Sequence, residues 1–176
     1  MSKLPTVAII GQANVGKSSL FNRLTRSRTA IVAREAGTTR DNVVGKVSYK
    51  RRNVGSAPSD DYSQFWLIDT AGLKTAEDEF EATIQDQIAD ASAAADVILV
   101  TVDSTVYPSD ADRQLAKKAL KSGKPVILIA NKADLKGSLP IDEFKRLGIK
   151  NIIKTSAEHS IGISELLDSI AELIPP

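Results

Sequence analysis

The sequence predicts an α/β fold: a mainly parallel six-stranded sheet with helices on both faces. Two observations carry this expectation. Short apolar runs free of turn residues alternate with helical patterns along nearly the whole chain. Several of those runs then end in glycine- or aspartate-bearing turns, as expected of loops gathered outside the carboxyl ends of parallel strands. The 176 residues, 42% of them hydrophobic, suit one domain with a full core.

The first strand is expected over 7–10 (VAII) and the first helix over 17–24. Between them GQANVGKS, from Gly11 to Ser18, fits the pattern GxxxxGK[ST]. Glycines at 11 and 16 let backbone N–H groups close on an anion, and the helix N-terminus adds partial positive charge. Lys17 is then the residue that reaches the β- and γ-phosphates, and the Ser18 hydroxyl is a Mg²⁺ ligand. Asn14, Val15, Gly16 and Ser19 complete the expected phosphate contacts.

The stretch 25–42 is polar and lacks sustained periodicity, so it reads as a loop. Within it GTTRD, from Gly37 to Asp41, offers the Thr39 hydroxyl to the Mg²⁺ shell when a γ-phosphate is present. A second strand is expected over 43–49 and a third over 65–68, joined by an exposed hairpin tip at 50–61. Its basic triplet Lys50, Arg51 and Arg52 reads either as a solvated loop or as a contact for RNA or a partner.

The third strand leads into Asp69-Thr70-Ala71-Gly72. Asp69 is placed to hold a Mg²⁺-bound water, and Gly72 lets a backbone N–H approach the γ-phosphate. A helix over 80–95, a strand over 97–102 and a helix over 110–121 follow.

The fifth strand, 126–130, ends in Asn131-Lys132-Ala133-Asp134. The Asp134 carboxylate is a double acceptor for the N1–H and exocyclic amine of guanine, a donor pair that adenine does not present. Hydrogen bonds to a charged group are worth about 1.5–3 kcal/mol each, so two favour guanine by roughly a hundredfold or more. A short helix is expected near 142–147, a last strand at 152–153 and a final helix over 164–173. After that last strand comes Thr155-Ser156-Ala157-Glu158, where small residues at 156 and 157 let a backbone N–H reach guanine O6, with Glu158 closing the loop.

Composition narrows the rest. Twenty-three basic residues against 22 acidic ones give no charge argument for binding nucleic acid or membrane. No apolar run approaches the roughly 20 residues that span a bilayer, so a cytoplasmic protein without membrane attachment is expected. Without cysteine there are no disulfides or thiolate metal sites.

With five motifs in order, the chain resembles the translation-factor-related P-loop GTPases with a Ras-like G domain. More narrowly it is similar to the first G domain of the bacterial Der (EngA) family of tandem GTPases. The stretches GQANVGKSSLFNRL, AIVAREAGTTRD, SGKPVILIANKAD and SAEH carry the likeness. Gln12-Ala13 stands where Arg-Pro is usual, GTTRD where a central valine is commoner, and the hairpin is longer than expected.

The resemblance implies GTP hydrolysis to GDP with Mg²⁺, residues 1–176 forming one G domain at the front of a longer chain, and assembly of the large ribosomal subunit through that chain and its rRNA. It also implies a monomeric isolated domain. Leu73 stands where many regulatory GTPases carry a water-orienting glutamine. Relatives stimulated by K⁺ instead hold that ion with residues matching Asn14 and Thr38, and Glu81 matches a water-positioning glutamate of one related family. Lys17, Thr39, Gly72 and Glu81 are thus the expected catalytic set, although a solvated residue in an acidic helix start, crowded by Glu77, Asp78 and Glu79, is the stronger reading of Glu81. His159, the single histidine, reads as structural or exposed. Two functions stand at this point: a GTP-hydrolysing switch, or a nucleotide-gated binding module with negligible hydrolysis in isolation.

Overall fold

The structure is a computed structural model that describes residues 4–12, 14–25, 31–34, 41–50, 62–69 and 84–175. Seven strands form one sheet: β1 (Thr6–Gly11), β2 (Ile31–Arg34), β3 (Asp41–Lys50), β4 (Tyr62–Asp69), β5 (Val97–Asp103), β6 (Val126–Asn131) and β7 (Ile152–Lys154). Among the described residues four α-helices accompany them: α1 (Lys17–Thr25), α2 (Ile84–Ala94), α3 (Asp110–Lys121) and α4 (Ile163–Leu173). Spatial order is β2-β3-β4-β1-β5-β6-β7. Pairing is parallel from β4 to β7 and antiparallel at β2–β3 and β3–β4.

Alternation along the central strands sends side chains to two separate cores. Val7 and Ile9 of β1 join Leu20, Phe21 and Leu24 of α1 and Leu166, Leu167 and Ile170 of α4. Ala8 and Ile10 join Leu115, Ala116 and Ala119 of α3 with Ala91 of α2. Strands covered on both faces need near-continuous apolar sequence, which is why VAII, VILV and VILIA were readable as strands. In α4, Ile163, Leu166, Leu167, Ile170 and Ala171 are buried, the spacing of one helical face.

The six expected strands are all present, and the sheet has one more. Ile31–Arg34 pairs antiparallel with β3 inside the stretch read as a loop. Four residues at a sheet edge give too short a pattern to recognise, and the pairing with β3 decides them. The helix expected near 142–147 is instead two single 3-10 turns, Ile141–Glu143 and Lys145–Leu147. Fully buried Phe144 sits between them, and Gly148 at φ 84° ends the second. The hairpin is confirmed by the register from Val43↔Asp69 to Lys50↔Tyr62, while its tip at 51–61 lies outside the described residues. For α2, 84–94 of the expected 80–95 is helical, and 80–83 lies outside as well.

The strand order reverses at β1. One connection leads from β1 through α1 toward β3 and β4, while α2 carries the chain back across to β5 on the other side. A crevice at such a switch point, outside the strands' carboxyl ends, is where ligands bind in open α/β sheets.

Candidate functional site

The loop from Gly11 to Ser18 opens at this point and runs directly into α1. A Cβ on Gly11 would stand 2.6 Å from the Thr101 carbonyl oxygen of β5. Gly16 has φ +94°, and a Cβ there would collide with the Asn131 amide. Only glycine lets the chain take that turn at that closeness. Lys17 is nearly buried, Ser18 and Ser19 are exposed on the first turn, and no acidic residue occupies that turn. With no carboxylate in that first turn, the helix itself does not offset the positive charge at its N-terminal end, which suits an anion site.

Asp69 ends β4 and is fully buried. Its register partner in β1 is Ile9, two residues before the loop begins, so a carboxylate lies beside the phosphate cradle. A hard oxygen set of Ser18 hydroxyl and Asp69 carboxylate next to an anion-binding loop fits Mg²⁺. Of the remaining expected residues, Thr38, Thr39, Gly72 and Glu81, with Leu73, lie outside the described residues.

The base side is assembled by side-chain hydrogen bonds. Asn131 at the end of β6 is 3% exposed. Its Nδ2 donates to the Val15 carbonyl at 3.0 Å, and its Oδ1 accepts from Thr155 Oγ1 at 2.9 Å. One buried amide thus fastens the phosphate loop to the start of the TSAE segment. Each neutral bond contributes about 0.5–1.5 kcal/mol net, and stranding either buried partner costs about 1–3 kcal/mol. Asn131, expected from the sequence to contact the nucleotide, thus spends one amide N–H and one oxygen lone pair on the protein and keeps one of each.

Lys132 has φ +65°, and its Nζ donates to the Asn14 carbonyl at 2.7 Å and to Asp103 Oδ2 at 3.1 Å. Ala133 N–H bonds to the Thr155 carbonyl at 2.9 Å, which tethers NKAD to TSAE before Asp134 projects. The TSAE loop is closed by reciprocal backbone bonds between Ser156 and Ile161, 3.0 and 3.1 Å. Arg23 of α1 holds its far side, Nε to the Ala157 carbonyl at 2.7 Å and Nη2 to the Glu158 carbonyl at 3.2 Å. Ser156 and Ala157 are buried while Glu158 is exposed. His159 is exposed and sits on this base rim, Nε2 3.3 Å from Asp134 Oδ2, in keeping with the expected structural or exposed role.

Asn14, Val15, Gly16, Lys17, Ser18, Ser19, Asn131, Lys132, Asp134, Ser156, Ala157 and Glu158 thus all lie at the carboxyl edge, Asn131 at the end of its strand and the others on loops or a helix start. Four contributors escaped sequence reading. Thr155 was quoted only as the first letter of its motif. Arg23 and Asp103 lie outside all five motifs, and Gln12 was noted only as a departure from Arg. Gln12 Nε2 donates to Ser109 Oγ and Asp112 Oδ1, both at 2.7 Å, joining the phosphate loop to the capping box of α3. The only sequence hint for Arg23 and Asp103 was polarity at positions that flank an apolar helix face and end an apolar strand.

Known proteins resemble this chain in sequence and in fold. The family described as 50S ribosome-binding GTPase matches residues 6–132. A protein named GTPase Der from Gemmatimonas aurantiaca is 39% identical over 175 residues, 98% of this chain but 37% of that protein. The chain therefore spans little more than a third of the length of the curated relatives it matches. Among solved structures, the G domain of the T. maritima FeoB iron transporter superposes with a TM-score of 0.71 at 28% identity, covering 97% of this chain and 99% of that one. Era in complex with MgGDPNP and nucleotides 1506–1542 of 16S ribosomal RNA gives 0.69 at 28% identity, covering all of this chain and 58% of the other. The phosphate loop at the switch point and the family match from β1 to Lys132, the second residue of NKAD, agree, and the chain belongs to the 50S ribosome-binding GTPase family.

Proposed function

We propose that this domain binds GTP and GDP with Mg²⁺, hydrolyses GTP, and works as a nucleotide switch in ribosome biogenesis. The observation that carries the reading is the Asn131 amide, which locks phosphate loop and base loop into one rim through Val15 and Thr155. A rim of that kind reads both ends of one nucleotide. Lys17 donates to the β- and γ-phosphates, and Ser18, Thr39 and Asp69 are the residues that would hold Mg²⁺. The ion supplies neutralisation of the phosphate charge that develops as the γ-phosphoryl group leaves. Asp134 orients the base by accepting from N1–H and the exocyclic amine, and the backbone at Ala157 donates to O6.

Titration calorimetry in Mg²⁺ tests the reading. GDP and GTP are expected to bind and ATP to bind at least a hundredfold more weakly; absence of heat with both guanine nucleotides refutes it. Asp134→Asn is expected to move preference toward xanthine nucleotides, because the amide donates to the oxygen that replaces the guanine amine.

Leu73 cannot orient water, so hydrolysis in this reading is slow and depends on K⁺ held by Asn14 and Thr38, with Glu81 as a further candidate for positioning the water. Equal turnover in K⁺ and Na⁺ buffers excludes the K⁺ part, and unchanged turnover in Glu81→Ala excludes that residue. A nucleotide-gated binding module is the second reading, which Leu73 favours for the domain alone. The whole protein is read as acting on the large ribosomal subunit or its rRNA, in keeping with the 50S ribosome-binding family match, in the cytoplasm and without membrane attachment. The domain alone is read as a monomer.

A further inference from the structure

We propose that Asp103, which belongs to none of the nucleotide motifs, is a positioning residue for guanine-nucleotide binding that acts by clamping Lys132. The inference rests on the proposed base-side role of Lys132.

The chain brings the two residues together through register. Asp103, the last residue of β5, pairs with Asn131 of β6, and Lys132 follows immediately. Asp103 Oδ1 accepts from Thr105 N–H at 2.8 Å and from Thr105 Oγ1 at 2.6 Å, while Oδ2 accepts from Lys132 Nζ at 3.1 Å. One oxygen therefore fixes the carboxylate to its own turn, and the other faces the ammonium. Lys132 Nζ also bonds the Asn14 carbonyl, so its four-carbon stem runs from the base loop to the phosphate loop. That stem walls one side of the space between them.

A lysine left to itself would not stay there. Its ammonium is strongly hydrated and its stem carries about 2 kcal/mol of rotamer entropy. Its backbone is also held at φ +65°, a region costly for a side-chain-bearing residue. The Asn14 carbonyl supplies a dipole, whereas Asp103 supplies the one carboxylate within reach among the described residues. With side-chain exposures of 34% for Lys132 and 17% for Asp103, the pair is partly shielded and stronger than a surface ion pair. Burial alone would raise the Asp103 pKa, but the Thr105 hydroxyl and N–H and then the Lys132 ammonium outweigh it and hold it below the ordinary aspartate value.

A simpler role for Asp103 is to shape its own turn through Thr105 alone. Asp103→Asn separates the two, because the amide oxygen still accepts from Thr105 while the charge facing Lys132 is gone. Release of a fluorescent GDP analogue, chased with excess GDP, is measured for wild type, Asp103→Asn, Lys132→Met and the double variant, together with nucleotide-free thermal midpoints. Lys132→Met is expected to speed release by about tenfold to a hundredfold, Asp103→Asn by about tenfold, and Asp103→Asn added to Lys132→Met by less than about twofold. Should the two effects multiply in full, or should Asp103→Asn change the midpoint and leave release unaltered, Asp103 serves its turn only and the proposal falls. Lys132→Met without any effect would overturn the base-side role of Lys132 itself, a distinguishable failure. If Asp103→Asn does not fold, Asp103→Glu keeps the charge and is expected to release GDP more slowly than Lys132→Met; equal rates overturn the clamp.

Discussion

Around Gly16 the site is made of backbone, and around Asn131 it is made of side chains. The phosphate loop depends on a φ of +94°, on close approach to β5, and on an α1 start without acidic residues. On the base side, Asn131, Thr155, Lys132, Asp103 and Arg23 are tied by hydrogen bonds between residues up to 135 positions apart. Backbone recognition can be encoded in eight consecutive residues, whereas the side-chain lattice exists only once β5, β6 and β7 lie side by side. Charge on a phosphate is also tolerant of position, while a base must be met by a donor or acceptor in one orientation.

The comparison can be broken most sharply where the two halves touch. Gly16→Ala strains the loop and drives a methyl group into the Asn131 amide, so GDP affinity is expected to fall by at least about a hundredfold in calorimetry, from strain of roughly 1–3 kcal/mol plus lost backbone contacts. Asn131→Ala removes both braces and strands the Thr155 hydroxyl. An unfolding free energy lower by about 2–4 kcal/mol in urea titration is expected, with the Thr155→Val variant losing less because it breaks one brace and leaves the Asn131–Val15 bond in place.

Smaller effects sharpen the picture. Arg23→Ala releases the Ala157 and Glu158 carbonyls from one side of the base loop only. GDP release is expected to rise a fewfold with helix α1 intact by circular dichroism, since the Ser156–Ile161 bonds remain. Least of all is the acid response of Asp103. Its pKa is depressed in the folded protein, so its contribution is complete above the unfolded value and disappears as pH falls through the lower folded value. Wild type should therefore lose its thermal-midpoint advantage over Asp103→Asn as pH is lowered from about 6 toward 3. An advantage independent of pH would mean that the carboxylate charge contributes nothing.

Legibility followed range. VAII, VILV and VILIA were recognisable because a strand buried on both faces must be apolar throughout, and α4 because its buried residues recur at helical spacing. The edge strand Ile31–Arg34 left no such mark, because its existence depends on β3 presenting unpaired backbone groups beside it. Near 142–147 the apolar residues Phe144 and Leu147 have helical spacing, yet Pro140 before and Gly148 after leave room only for single turns.

By itself, then, the sequence determined the fold class and the place of the Gly11–Ser18, NKAD and TSAE segments after their strands, and it pointed to the proposed chemistry of Lys17, Ser18, Asp69 and Asp134, because these depend on local periodicity and on functional groups at short fixed spacing. Tertiary structure alone decided that Asn131 braces two loops, that Arg23 holds the base loop from another helix, and that Asp103 meets Lys132. Those roles are set by strand register and helix placement, and a hydrogen bond between residues 24 to 135 positions apart leaves no periodic trace in the chain.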